Sequence, residues 1–226
     1  MKILIIPDIH GREFWVEPCS HVDEFDKIIF LGDYHDPYPF QVNRDDSRRL
    51  IRDKLVPFVT EHKDKCICLY GNHDLSYIIG PCADRFDDAH VLEIQEYLAK
   101  LDLKLYYEIK DENQTYLFTH SGVLPTWLDE NNLTLESFKN LREDNPALMD
   151  VSPRRGGYSR AGSCVWGDLF DYYNSYHLKD IYQIFGHTQL VSDDAFIDSD
   201  FACLDCRQAF ILDTKTGYLT KYDSKH

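Results

Sequence analysis

Short apolar runs in this chain are followed at once by residues that can bind a metal ion. The runs end in aspartate, asparagine or histidine, often beside a glycine that lets the backbone turn sharply. In chain order these groups are Asp8 and His10; Gly32 and Asp33; Gly71, Asn72, His73 and Asp74; His120; and Gly186 and His187. Carboxylate, imidazole and amide oxygen together suit borderline divalent cations such as Mn²⁺, Fe²⁺ and Zn²⁺. The pattern therefore predicts a metal site assembled from the ends of several elements.

The apolar runs that precede these groups have the length of strands. They are apolar on both faces, as expected for strands that are covered on both sides. Helical periodicity lies between them, at residues 45–62, 91–101 and 133–141. Pro57 is expected to kink or end the first of these helices, and Thr134 to cap the third. The alternation predicts an α/β fold with ligand groups at the carboxyl ends of the strands.

Two segments do not follow this alternation. Residues 209–223 read as two strands joined by a Lys-Thr-Gly turn, which predicts an antiparallel hairpin at a sheet edge. Residues 142–163 form an irregular stretch with four arginines in an otherwise acidic chain. We interpret this stretch as a functional loop, with a surface excursion as the alternative.

Composition limits the classes of function. The chain has 226 residues and a formal net charge of −15. Such an acidic surface repels phosphate backbones, so extended nucleic-acid binding is not expected. No stretch approaches the ~20 apolar residues of a membrane span. The length suits a single domain over residues 1–226, and we expect a cytoplasmic protein because the start of the chain does not read as a secretory signal.

The seven cysteines fit reduced thiols in that compartment. Cys203 and Cys206 have the two-residue gap found in zinc and redox sites, but no second pair stands at zinc spacing. We therefore interpret Cys203 and Cys206 as strand and loop residues.

The order of the motifs resembles that of the calcineurin-like metallophosphoesterases. The motifs span residues 8–188 and are most similar to those of the branch that contains the phosphoprotein Ser/Thr phosphatases. In this chain they read DIHGR, GDYHD, GNHD, THSG and FGHT. The resemblance implies a four-layer sandwich, in which two packed mixed β-sheets are flanked by helices. It also implies an enzyme that hydrolyses a phosphate ester.

The resemblance further implies a centre with two divalent cations. Asp33 would bridge the cations, and Asp8 and His10 would complete the first site. Asn72, His120 and His187 would complete the second. Mn²⁺ is the first expectation, with Fe, Zn, Ni or Mg as alternatives. Water shared by the cations would be the nucleophile, because the metals lower its pKa toward neutrality.

His73 has a different implied role, that of the general acid that protonates the departing oxygen. Asp36 matches the family position that holds the ring of this histidine and keeps it protonated. The resemblance assigns nothing to His35, which we interpret as a loop residue at the rim of the pocket.

The chain departs from the family pattern at three positions. Gln189 stands where many relatives have a further histidine ligand of the first metal, although the phosphoprotein phosphatases also lack that histidine. Pro37 and Tyr70 stand where the phosphoprotein phosphatases carry phosphate-binding arginines. Other cations must then meet the substrate phosphate. The candidates are Arg154, Arg155 and Arg160 of the 142–163 loop, together with Arg12; we favour Arg155 and Arg160.

Three functions are compatible with these residues. The first is hydrolysis of phosphate monoesters, including phosphoprotein. The second is a bis(nucleosyl)-tetraphosphatase or phosphodiesterase activity on the same site. The third is a non-catalytic binding scaffold of the same fold, which the presence of His73, Asp36 and the six ligand residues disfavours. The sequence predicts a phosphorylated substrate without naming it.

Replacing Arg155 or Arg160 separately with alanine tests the arginine loop. A charged hydrogen bond to phosphate contributes about 1.5–3 kcal/mol, so we expect kcat/KM to fall by about one to two orders of magnitude. Metal content, measured by mass spectrometry, should not change. Wild-type kcat/KM in both variants would exclude the loop as a phosphate clamp and direct attention to Arg12.

Overall fold

The computed structural model of the protein describes residues 1–112 and 114–223. The chain divides into two compact units. Unit 1 is formed by Met1–Lys104 together with the segment that begins at Arg207, and unit 2 by Leu105–Cys206. The single domain expected over residues 1–226 stays a prediction.

Strands and helices alternate along most of the described chain. The strands are β1 (Lys2–Ile6), β2 (Lys27–Phe30), β3 (Cys66–Cys68), β4 (Tyr107–Lys110), β5 (Thr115–Phe118), β6 (Ile181–Phe185), β7 (Phe196–Ile197), β8 (Phe201–Cys203), β9 (Phe210–Asp213) and β10 (Tyr218–Lys221). The α-helices are α1 (Val16–Ser20), α2 (Arg44–Leu50), α3 (Val56–Glu61), α4 (Asn72–Ile79), α5 (Val91–Ala99), α6 (Pro125–Glu130), α7 (Leu135–Phe138) and α8 (Leu169–Tyr173).

Unit 1 contains a mixed five-stranded sheet in the order β10-β9-β1-β2-β3. Strands β1, β2 and β3 run parallel, with Ile5 opposite Ile29 and Ile29 opposite Ile67. Strand β9 is antiparallel to β1, and β10 is antiparallel to β9. Isoleucines favour these strands because branched side chains pack well on a pleated, buried surface. Since parallel strands share a direction, the turns after β1, β2 and β3 lie at one edge of the sheet.

Unit 2 contains a second mixed five-stranded sheet, in the order β4-β5-β6-β8-β7. Strands β5, β6 and β8 run parallel, and β4 and β7 are antiparallel to their neighbours. Buried aromatic rings fill one face: Tyr172 lies 4.9 Å from Phe185 and 4.8 Å from Phe201, ring centre to ring centre. Such rings contribute a large share of the apolar area that a small unit can bury.

Two mixed sheets flanked by helices confirm the predicted α/β class. The five apolar runs are β1, β2, β3, β5 and β6, and the hairpin at the end of the chain is β9–β10, with β10 at a sheet edge. Thr134 caps α7 as expected, because its hydroxyl accepts the N–H of Ser137 at 3.1 Å. Among the described helices, none has the length and apolar character that a membrane span requires.

Two helical predictions need correction in detail. The predicted helix 45–62 contains a π turn at Ile51–Leu55, and Pro57 lies in the first turn of α3, where a residue without an N–H is tolerated. The predicted helix 133–141 is only the short α7. The loop 142–163 is not wholly irregular either, because it contains 3₁₀ turns at Pro146–Met149 and Pro153–Arg155.

The turns after β2 and β3 approach each other so closely that their glycines are required. Gly32 has φ +107°, and a Cβ placed on it would lie 2.4 Å from the backbone N of Gly71. A Cβ on Gly71 would lie 2.0 Å from Oδ1 of Asp33. Both glycines therefore allow two motif turns to pack backbone against backbone.

Replacing Gly32 with alanine should destabilise unit 1 more than the same change at Gly80. Gly80 has a similar φ, +109°, with nothing within 4 Å of an added Cβ, so it measures the conformational cost alone, about 1–3 kcal/mol. The overlap at Gly32 should add a further ~1–3 kcal/mol. Urea denaturation of both variants gives the difference; equal losses would contradict the close approach of the two turns.

Candidate active site

The motif residues of unit 1 lie at the carboxyl ends of its parallel strands. Asp8 and His10 follow β1, Asp33 and Asp36 follow β2, and Asn72 begins α4 after β3. The turns are joined through their backbones, because the N–H of His10 donates to the carbonyl oxygen of Asp33 at 2.7 Å. The predicted gathering at one edge of the sheet is therefore present in unit 1.

A single buried carboxylate holds two of these turns together. Asp74 accepts the backbone N–H groups of Asp33 at 2.7 Å, Tyr34 at 3.1 Å and Gly71 at 2.8 Å. In return, Oδ1 of Asp33 accepts the N–H of His73 at 3.0 Å. Burial, reinforced by the charge of Asp33, raises the pKa of Asp74 above the usual aspartate range, although the three N–H donors favour its charged form.

The backbone of these turns adopts conformations that residues with a Cβ rarely use. His10, Asp33 and Asp36 have φ values of 45°, 56° and 54°, in the left-handed region where a non-glycine residue is uncommon. Such strain persists only where surrounding contacts enforce it, and it is concentrated at functional sites. Here the carboxylate of Asp74 accepts the N–H of Asp33, and the N–H of His10 donates to the carbonyl oxygen of Asp33. The carbonyl oxygen of Asp36 accepts Nε of Arg85.

The side chains of His10, Asp33 and His73 bring possible metal-ligand atoms within 4.8 Å of one another. Nε2 of His10 lies 3.4 Å from Oδ2 of Asp33. Burial acts to lower the pKa of His10, but the carboxylates of Asp33 and Asp8 outweigh it and raise that pKa. A buried imidazole among buried carboxylates is a donor set that a borderline divalent cation fits.

Asp8 and Asn72 are the other unit 1 residues that the sequence predicts as metal ligands. Both are buried, and each stands at the end of a parallel strand. The carbonyl oxygen of Asp8 accepts Nη2 of Arg12 at 2.6 Å, which fixes the turn between Asp8 and His10. Asp8 thus fits the first predicted metal site in type, burial and position, and the place of Asn72 in the second site stays a prediction.

Asp36 holds the ring of His73. Its Nδ1 lies 2.9 Å from Oδ2 of Asp36, and the hydroxyl of Tyr77 donates to the other carboxylate oxygen at 2.5 Å. Asp36 is fully buried, so the ring orientation of His73 is well defined. Nε2 of His73 faces Nη2 of Arg85 at 3.1 Å and Oδ1 of Asp84 at 3.4 Å. This arrangement suits a proton donor whose second nitrogen meets the substrate.

His35 does not lie at a pocket rim, and that interpretation was wrong. It is buried, and its carbonyl oxygen lies 2.9 Å from Nδ1 of His10. Its ring lies 2.8 Å from the hydroxyl of Ser47 and 3.4 Å from Asp87. Burial lowers the pKa of His35. The residue orients His10, so its role is to position a candidate ligand.

Asp87 connects the residues that hold His10 with those that hold His73. Its carboxylate accepts Nη1 of Arg48 at 2.8 Å and lies 3.0 Å from Nδ1 of His90, while its N–H donates to the hydroxyl of Tyr77 at 2.9 Å. Through Tyr77 it supports Asp36, and through His35 it supports His10. Burial acts to raise the pKa of Asp87, but the neighbouring histidines hold it below its usual value.

Unit 2 places its two predicted ligands side by side. His120 follows β5 and His187 follows β6, which is the parallel neighbour of β5. The N–H of Gly186 donates to the carbonyl oxygen of His120 at 2.8 Å, and Nε2 of His120 lies 3.1 Å from Nδ1 of His187. His187 has φ 65°, so strain is again found at a motif residue.

The arginines of the 142–163 loop differ in their surroundings. Arg155 donates to Asp168 at 2.9 Å and to the hydroxyl of Thr188 at 2.8 Å, which places it next to the motif of His187. Arg160 is exposed, and its backbone N–H donates to Glu130. The roles of Arg155, Arg160 and Arg12 in substrate binding remain predictions.

The sequence reasoning missed three residues that contact the His73–Asp36 pair: Tyr77, Asp84 and Arg85. Tyr77 is a buried residue of α4, the helix that begins with the GNHD motif. Arg85 was the available signal, since it is an isolated arginine among acids in the segment CADRFDD that follows α4. Nothing in its spacing shows that it returns to His73.

Comparison with known proteins decides the family. The sequence model described as calcineurin-like phosphoesterase matches residues 1–190. The chain belongs to the calcineurin-like phosphoesterase family. Metallophosphoesterases of this kind are hydrolases that use divalent metal ions and act on phosphorylated substrates.

Solved structures of low identity show the same fold. A cold-active protein-tyrosine phosphatase from a psychrophilic Shewanella species is 14% identical with a TM-score of 0.58, over 98% of this chain and 80% of that one. A further structure of a cold-active protein tyrosine phosphatase is 15% identical with a TM-score of 0.57, over 97% of this chain and 78% of that one. A search of curated protein sequences found no match.

Replacing Asp74 with asparagine tests the link between the turns of this metallophosphoesterase. Asparagine keeps one acceptor oxygen but presents an amide N–H₂ group to at least one of the three backbone donors. We expect the free energy of unfolding, measured in urea with a chelator present, to fall by about 1–3 kcal/mol. Asp88→Asn is the control, because Asp88 is exposed, and should change it by less than about 0.5 kcal/mol. Equal effects of the two changes would contradict the link.

Proposed function

We propose that this protein is a two-metal phosphatase that hydrolyses phosphate monoesters. The observation that carries the proposal is the pairing of two buried groups in unit 1. One is the buried carboxylate of Asp33 with the imidazole of His10, and the other is His73 with its ring nitrogen held by Asp36. A monoesterase needs both functions, because the attacking water must be activated and the departing oxygen must receive a proton.

The proposed ligands of the first cation are Asp8, His10 and Asp33. For the second we propose Asp33 again, with Asn72, His120 and His187, following the order of the family motifs. Two divalent cations, Mn²⁺ first among them, would supply Lewis acidity to the phosphoryl group and lower the pKa of water. The donor set supports this choice, since it mixes oxygen with imidazole nitrogen.

The chain itself supplies the proton for the leaving group. Nδ1 of His73 donates to Asp36, so a proton transferred to the substrate comes from Nε2. As the bond between phosphorus and the ester oxygen breaks, its electron pair stays on that oxygen, which takes the Nε2 proton and leaves as the alcohol. The oxygen of water forms the new bond to phosphorus; one of its two protons stays on the phosphate product, and the other passes to solvent, from which Nε2 of His73 is reprotonated. Buried Asp36, which accepts the hydroxyl of Tyr77, holds the ring in the orientation that this transfer needs.

The same groups support a proposal for the substrate class. A single general acid beside one phosphoryl site suits a monoester, and the Shewanella neighbour, whose fold this chain shares, is itself a protein-tyrosine phosphatase. We propose a phosphomonoester, including one carried on protein, as the substrate. We also propose a cytoplasmic location, supported by buried thiols such as Cys19, Cys66 and Cys68.

The variants Asp33→Asn and His73→Asn separate the two proposed roles. Asp33→Asn should lose bound metal and turnover together, because a proposed shared ligand is removed. His73→Asn should keep its metal and lose about 10²–10⁴-fold in rate on a substrate with a poor leaving group. Metal content is measured by mass spectrometry and rate with phenyl phosphate and added Mn²⁺. Asp23→Asn, an exposed carboxylate, is the control.

Loss of metal from His73→Asn would show that His73 is a ligand. Full activity of His73→Asn on phenyl phosphate would exclude it as the general acid. If the wild-type protein with Mn²⁺ hydrolyses neither para-nitrophenyl phosphate nor phenyl phosphate, the phosphatase proposal is wrong and the scaffold alternative stands.

A further inference from the structure

Arg85 contacts Nε2 of His73, and the sequence motifs do not account for this contact. It belongs to the segment between α4 and α5, and Nη2 of its guanidinium lies 3.1 Å from Nε2 of His73. Any ester oxygen that takes a proton from Nε2 must come within hydrogen-bond distance of that atom. The phosphoryl group attached to such an oxygen then lies next to the guanidinium.

The guanidinium is held in this place from several sides. Its Nε donates to the carbonyl oxygen of Asp36 at 3.0 Å, and Nη1 donates to Asp84 at 2.7 Å. Its plane lies over the ring of Tyr38, with Cζ 4.0 Å from the ring centre, a favourable arrangement for arginine on an aromatic face. These contacts fix Nε, Nη1 and one face, and they leave Nη2 directed at His73.

The backbone at Arg85 is also constrained. Its φ is 59°, in the left-handed region, and its carbonyl oxygen accepts Nη2 of Arg44 at 2.8 Å. A residue with a side chain keeps such a strained backbone conformation only where surrounding contacts enforce it. The side chain is 16% exposed, so the guanidinium is neither fully buried nor free in solvent. It is placed in advance of any substrate, which lowers the cost of ordering it on binding.

We propose that Arg85 binds the phosphoryl group of the substrate, beside the oxygen that His73 protonates. The inference rests on the proposed function and adds a substrate-binding residue to it. An arginine keeps its charge at all accessible pH values and presents several donors, so it is well suited to a phosphoryl dianion.

The contact between Arg85 and His73 then describes the protein before substrate binds. Nη2 of Arg85 has Nε2 of His73 as its neighbour, and the ester oxygen of a substrate must come to that same nitrogen. The phosphoryl oxygen is a charged and therefore stronger acceptor. On substrate binding Nη2 moves to it, and Nε2 meets the ester oxygen.

Other arginines of unit 1 are engaged elsewhere. Arg12 donates to the carbonyl oxygens of Asp8 and Ile9, and Arg48 pairs with Asp87. Their contacts support the turns that carry the metal-ligand candidates. Arg85 instead approaches the atom from which a proton would leave.

The test compares Arg85→Ala and Arg85→Lys with the wild-type protein in the presence of Mn²⁺. Two substrates are used, para-nitrophenyl phosphate with a good leaving group and phenyl phosphate with a poor one. Arg85→Ala should lose about ten- to a hundredfold in kcat/KM, and by the same factor on both substrates, because the contact is to phosphoryl oxygens. His73→Asn should lose much more on phenyl phosphate. Arg85→Lys should recover part of the loss, since it keeps the charge without the forked donors.

Inorganic phosphate is the direct probe of binding. Calorimetry on the Mn²⁺-loaded protein should show phosphate binding weakened about tenfold or more in Arg85→Ala and unchanged in Arg52→Ala. Arg52 is the matched control, an exposed arginine paired with Asp53. Thermal denaturation of each variant checks that the fold is retained.

Two outcomes would overturn the inference. Unchanged phosphate affinity in Arg85→Ala would show that the residue does not bind the phosphoryl group. A loss that grows with the poorer leaving group, as for His73→Asn, would show that Arg85 acts only by positioning His73. Absence of hydrolysis in the wild-type protein would refute the phosphatase proposal instead, and the calorimetric comparison would still decide on Arg85.

Discussion

The acceptance of three backbone N–H groups by the carboxylate of Asp74 is the interaction on which the candidate site depends. These N–H groups belong to Asp33, Tyr34 and Gly71, so one side chain on α4 fixes the turns after both β2 and β3. Buried N–H groups must find acceptors, and in so tight a crossing the backbone offers few. The requirement for glycine at positions 32 and 71 is the steric counterpart of the same constraint.

The same hydrogen bonds also give different surroundings to Asp33 and Asp36, two acids that are only three residues apart. Asp33 is held by its own N–H and by the N–H of His73, which leaves its carboxylate among His10 and the other metal-competent groups. Asp36 lies three residues further along the same loop, and its carboxylate accepts hydrogen bonds from the hydroxyl of Tyr77 and the ring of His73. The left-handed backbone at both residues sends their side chains in these directions. The strain is stored where the chemistry is proposed to occur.

The sequence predicts the strands and the motif turns well because both depend on local signals. An apolar run that ends in glycine and a carboxylate is recognisable wherever it occurs, and the hairpin β9–β10 has its own turn residues. Arg85 was missed and His35 was misjudged for a common reason. They contact His73 and His10 across 12 and 25 residues of chain respectively, and no periodicity encodes such contacts. The short strands β7 and β8 likewise depend on their neighbours in the sheet.

The central claim is that the buried acids and imidazoles around Asp33 form a metal site. Anomalous X-ray diffraction near the manganese absorption edge, from crystals grown with Mn²⁺, tests it most directly. The account predicts a strong anomalous peak within coordination distance of the carboxylate of Asp33 and of Nε2 of His10, with Nδ1 of His73 still bound to Asp36. Anomalous peaks confined to exposed carboxylates, with none beside Asp33, would contradict it.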